Sequence, residues 1–108
     1  ADACETLVFD EVDAGVGGAT AVALADVLAR LATTRQVIVV THLAQVAVVA
    51  ERHYLVEKRA GEGGVPETTL TEIAGEDRVA EIARMLSGDT GEASRDLARE
   101  MLAGASRR

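Results

Sequence analysis

One cysteine, one proline, one phenylalanine, one tyrosine and no tryptophan stand in a chain of 108 residues. A lone cysteine, Cys4, forms no intrachain disulfide, so a disulfide-stapled scaffold is excluded and nothing points to an oxidising compartment. Cys4 has no histidine or second cysteine close by in sequence and reads as a passive thiol. With aromatic anchors scarce, any core must be built mostly from Ala, Val and Leu. No apolar run approaches the roughly 20 residues that a membrane-spanning helix needs, and no signal peptide is visible, so no membrane partner is expected. Lysine is nearly absent too. Lys58 stands alone, and 18 acidic against 11 basic residues leave a formal charge of −7. Binding to a phosphate backbone concentrates Lys and Arg, whereas the arginines at 30, 35, 52, 59, 78, 84, 95, 99, 107 and 108 are scattered among acids, the pattern of a solvated surface. Direct DNA contact by this acidic segment is therefore not expected. Also missing is the G-x-x-x-x-G-K-[ST] loop that cradles nucleotide phosphates with its amides and lysine.

What is present begins with Thr6-Leu7-Val8-Phe9-Asp10-Glu11, a short apolar run that ends in two adjacent carboxylates. Such a run predicts a strand buried on both faces, as in parallel sheets covered by helices. The acids then fall just past the strand's carboxyl end, where open α/β sheets bind ligands; a polar turn closing the strand is the plainer alternative. Residues 12–18 form a glycine-rich connection, and Gly15-Val16-Gly17-Gly18 lacks the lysine and hydroxyl of a phosphate loop. A helix is predicted over 19–31, with Val22, Leu24, Ala25, Val27, Leu28 and Leu31 as its apolar stripe. Gln36–Val40 predicts a second strand, leading into Thr41-His42. Strand, helix and strand make a βαβ unit, whose parallel strands deliver both carboxyl ends to one edge of the sheet. Asp10, Glu11 and His42 should therefore converge there. A histidine after one strand is commonly structural; its joint placement with paired acids favours function.

The segment LVFDEVDAGVGG, followed about thirty residues later by VIVVTHLAQVA, resembles the carboxy-terminal part of the ATPase head of the RecN family, bacterial SMC-like repair and recombination proteins of the ABC-type ATPase superfamily. The likeness runs along essentially the whole chain. It implies that residues 1–108 are the carboxy-terminal lobe of a P-loop ATPase head. In that reading Asp10 is the Walker B aspartate that engages Mg²⁺, directly or through water, and Glu11 is the catalytic glutamate beside it. Asp13, with Ala14 and Gly15, matches the loop facing a partner head, and His42 matches the switch histidine that senses the γ-phosphate of ATP. The resemblance further implies an amino-terminal half that carries the P-loop and signature segment, a second head in a homodimer, DNA engaged through the full-length protein, and a cytoplasmic, nucleoid-associated location. The absent initiator methionine and the immediate start in a core strand predict that residue 1 is a cut inside a larger protein. A head from another SMC-type or RecF-like ATPase, or a non-catalytic docking module whose carboxylates merely close a strand, are the other readings.

Beyond His42 the pattern is structural. Leu43, Val46, Ala47 and Ala50 predict a helix ending near Arg52, in which Gln45 either reaches toward the site or faces solvent. His53–Lys58 alternates like a half-buried strand, residues 60–66 form a loop, and residues 68–73 return as its antiparallel partner. His53 reads as a polar surface residue without metal-ligand partners. Two amphipathic helices follow. The first starts at Asp77 and buries Val79, Ile82, Ala83 and Leu86; the second opens at Thr90 or Glu92 and buries Ala93, Leu97, Ala98, Met101 and Leu102. These stripes serve the local core or dock on the amino-terminal half, and the tail from Gly104 should fray. The predicted class is α/β: a parallel βαβ core with a β-hairpin and two terminal helices.

Overall fold

The apolar, partly β-branched run Thr6–Asp10 forms strand β1, and it pairs in parallel with β2, Gln36–Val40, in a register running from Thr6 opposite Gln36 to Asp10 opposite Val40. Helix α1, Gly18–Leu31, lies between them in sequence. The computed structural model of the chain describes residues 5–10 and 18–106. The short helix α2, Ala44–Ala47, leads to an antiparallel hairpin of β3, His53–Ala60, and β4, Pro66–Ile73, and the chain ends in helices α3, Gly75–Ser87, and α4, Glu92–Ser106. The architecture is mixed α/β, with two separate two-stranded sheets.

Side chains alternate across a strand, so β1 and β2 each present two faces. Phe9, Val37 and Val39 pack under Ala25, Leu28 and Leu24 of α1, together with Leu43, Val46 and Val49. The opposite face is open: Val8, Ile38 and Val40 are 66%, 46% and 52% exposed. The expected burial on both faces is thus corrected to burial on one. The apolar content of these strands suits two covered faces, but among the described residues only one cover exists.

On α1 the buried side chains are Ala21, Ala25 and Leu28, at the spacing of one helical face, while Val22 and Val27 of the predicted stripe are exposed. A second core joins Ala44, Ala47 and Val48 to Val79, Ile82 and Ala83 of α3 and Ala98 of α4. Met85, Leu86, Met101, Leu102 and Ala105 pack around it. Leu97 is about half exposed and Ala93 is exposed, so the face α4 buries is narrower than predicted. Residues 44–49 are shared: Val46 belongs to the sheet cluster, Ala44, Ala47 and Val48 to the helix cluster, and Val49 packs against both.

Element ends differ from expectation for local reasons. The helix after His42 has one turn rather than two. Its main chain tightens through Val49 N–H to Val46 O and Ala50 N–H to Ala47 O before β3 begins. The hairpin is longer than expected, because Ala60 and Pro66 still pair, and a proline at the first position of a strand forfeits little. In its turn Gly61 donates to Val65 O at 2.7 Å, and a Cβ on Gly61 would stand 2.6 Å from that same oxygen. Helix α3 starts at Gly75, two residues before the predicted Asp77, with Glu76 and Asp77 in its first turn, where acids suit the helix dipole. It stops at Gly88, whose φ of 81° and N–H bond to Arg84 O make a left-handed cap. Of the tail expected to fray from Gly104, residues 107 and 108 lie outside the described residues. Helix α4 continues to Ser106, with Ala105 against the core and the Ser106 hydroxyl donating to Leu102 O.

Candidate functional site

Asp10 is the last residue of β1, and the parallel register sets it beside Val40, the last residue of β2. His42 follows Val40 by two residues, in a bend between β2 and α2. Asp10 and His42 accordingly emerge at the same edge of the sheet, and both are exposed. An acid tolerated at this edge is consistent with its exposure, since a charge deeper in the strand would lose its water. Glu11 and Asp13, the other two residues assigned from the sequence, lie outside the described residues, as does Cys4.

The bend that carries His42 is held on both sides. Before it, the Thr41 hydroxyl accepts the Leu43 N–H at 3.0 Å, a local turn that spans His42. After it, Leu43 leads straight into α2, whose first bonds are Val46 N–H and Ala47 N–H to Leu43 O. Gln45 is half-buried on α2 rather than a freely exposed glutamine.

Arg78 was not singled out by the sequence, where it reads as one of ten scattered arginines. It is half-buried, and its Nη2 donates to Ala47 O at 3.1 Å and to Ala50 O at 2.7 Å. Burial pulls its pKa below the ordinary arginine range, and its Nε is buried without a hydrogen-bond partner among the described residues. The signal available was its spacing. Arg78 stands four residues before the fully buried Ile82 and next to Val79, on the inward face of α3.

His53, expected on the surface, is instead half-buried at the start of β3, with its Nδ1 buried and unpaired among the described residues. Burial first, and then the Arg78 charge, lower its pKa from the usual 6.5, against an opposing pull from Glu81.

Magnesium takes hard oxygen ligands and commonly needs only one or two carboxylates besides phosphate oxygens and water. An exposed aspartate at a strand end fits that donor chemistry. Among the described residues no group of three or more His, Cys, Asp or Glu is arranged to hold a metal by itself. A shallow cleft of about 300 Å³, lined by Asp26, Ala29, Arg30 and Thr33, lies toward the carboxyl end of α1, away from the helix end that follows Asp10 in the chain. No described helix is long and apolar enough to cross a membrane.

The geometry so far defines a mixed α/β segment with an acid and a histidine at one sheet edge. Comparison with known proteins narrows this. The chain is 58% identical over 99 residues to the DNA repair protein RecN of Deinococcus radiodurans, covering 92% of this chain and 17% of that protein. It is 50% identical over 102 residues to RecN of Streptomyces coelicolor, covering 94% and 18%, and 37% identical over 98 residues to RecN of Halalkalibacterium halodurans, covering 90% and 17%. The chain is a RecN homologue along nine-tenths of its length, consistent with a carboxy-terminal fragment of that family. It spans about one-sixth of the length of the curated relatives it matches. No protein-family model matches it.

Proposed function

We propose that this chain is the carboxy-terminal lobe of an ATP-hydrolysing head of the ABC and SMC type, with β1, α1 and β2 as part of its parallel βαβ core, working in DNA double-strand break repair and recombination. The observation that carries the reading is the parallel register that ends in Asp10 beside Val40, two residues before His42. Homology to proteins named for DNA repair supports the cellular role. Nucleotide hydrolysis needs a carboxylate for Mg²⁺, a base for the attacking water and a donor at the charge that develops on the γ-phosphate. Asp10 supplies the first, Glu11 the second and His42 the third, while Asp13 meets a partner head. Mg²⁺, when bound, neutralises charge on the transferring phosphoryl group. The P-loop comes from the amino-terminal half of the same head. A second head in a homodimer completes the arrangement, and the full-length protein, cytoplasmic and nucleoid-associated, engages DNA elsewhere than through this acidic segment.

Glu11→Gln in the full-length protein tests the assignment of the base. It keeps side-chain shape and should leave ATP binding near normal, accumulate an ATP-bound dimer and lower turnover by about 10²–10⁴, the usual worth of a positioned base. Retention of most of the turnover would remove Glu11 from that role.

A further inference from the structure

We propose that Arg78 is the positioning residue for His42: by holding the carboxyl end of α2 it fixes the bend that presents His42, and ties that bend to the α3–α4 helix pair. The inference rests on the reading of His42 as the γ-phosphate donor. Helix α2 is four residues long and has no side-chain cap at its amino end. One helical turn is not stable on its own, because nucleation costs more than a single turn returns. Its carbonyls at the carboxyl end have no partners further along a helix. Arg78 donates to Ala47 O, the last residue of α2, which also accepts the Ala50 N–H, and to Ala50 O just beyond the helix, from a different element thirty-one and twenty-eight residues away. Burying a guanidinium is unfavourable unless its charge is met by hydrogen bonds, and here main-chain carbonyls meet it at Nη2 while Nε has no partner among the described residues. The position of α2 is therefore determined by Arg78 together with the two apolar clusters that share residues 44–49.

His42 sits between two fixed points, the end of β2 with the Thr41 turn on one side and α2 on the other. Loss of the Arg78 bonds loosens the second, which then rests on the two apolar clusters alone. A displacement of about 1 Å at a reacting group can cost on the order of 10²-fold in rate without a comparable loss of binding. Both bonds come from one nitrogen, so a lysine ammonium reaching the same place can replace much of the contact.

The test is a double-mutant cycle in the full-length protein, with kcat and KM for Mg-ATP measured on wild type, H42A, R78M and H42A/R78M, and R78K as the conservative variant. H42A should lower kcat by about 10²–10³. R78M should lower kcat by about 10-fold with KM changed less than about twofold, the double variant should be no slower than H42A, and R78K should recover most of the loss. If R78M does not fold, R78Q carries the same comparison. Losses that multiply in the double variant, or an R78M that melts lower but turns over normally, overturn the proposal while leaving His42 in place. Normal turnover in H42A overturns the role of His42 itself, and the proposal with it.

Discussion

His53 shows how one half-buried titratable group links packing to pH. Its pKa is lowered chiefly by burial and secondarily by Arg78, with Glu81 pulling the other way, whereas in the unfolded chain it returns to the ordinary value of 6.5. As pH falls below 6.5, the unfolded state takes up the proton first, and folding must then hold His53 neutral at a cost. The contribution of neutral His53 is fully present above the unfolded pKa and is lost as pH falls through that value toward and past the folded one. Acidification from about pH 7.5 to about 5.5 should lower the melting temperature of the wild type more than that of His53→Gln, which does not titrate in this range. Parallel melting curves on the two proteins against pH measure the difference; equal slopes would mean that His53 is as well solvated folded as unfolded. The exposed ion pairs of Arg99 with Glu76 and Asp96 are a weaker lever, because solvent screens them.

At the scale of elements, helices α3 and α4 depend on the four residues, 88–91, that join them. Gly88 leaves α3 with φ of 81°, and Asp89 accepts the Gly91 N–H at 2.9 Å and the Ser94 hydroxyl at 3.1 Å, turning the chain into α4. The bond from Gly91, ahead of that from Ser94, holds the Asp89 carboxyl below its usual pKa. Among the described residues no atom beyond Gly88 and its chain neighbours lies within 4 Å of a Cβ built there, so a substitution meets open space and its penalty is conformational. Gly88→Ala should therefore destabilise the fold by about 1–2 kcal/mol, the strain of a left-handed L-residue, with an unchanged denaturant slope in urea unfolding. A loss several times larger would mean that Gly88 makes contacts beyond its cap.

At the scale of the whole molecule, uncovered faces stand out. Val8, Ile38 and Val40 are open on one sheet; on the hairpin, Tyr54, Val56 and Leu70 are open, with Val56 directly opposite Leu70. The chain corresponds to about one-sixth of its relatives, and the proposed site needs the P-loop that this sequence lacks. On their own, Asp10 and Glu11 present negative charge to a negative ligand. Calorimetric titration of the 108-residue chain with Mg-ATP should give no binding heat, whereas micromolar affinity would require an internal phosphate site and overturn the half-site reading.

Three features were legible from residues alone. The apolar runs at 6–10 and 36–40, the 3.6-residue spacing on α3 and the turn at 60–66 each encode an element locally, because period and turn chemistry act over a few residues. The order of strand, helix and strand already implied a shared edge for Asp10 and His42, since a crossover of this kind returns parallel. Tertiary structure decided what neighbours decide. It left Val8, Ile38 and Val40 open, although the same residue types read as buried on both faces, because burial belongs to whatever packs above and not to the strand. It moved Val22, Val27 and Leu97 out of their predicted stripes, because the width of a buried face is set by the opposing element. It also turned Arg78 and His53 inward. A charged side chain gives no local sign that two carbonyls about thirty residues away will receive it, and only the packing of α3 beside α2 brings them together.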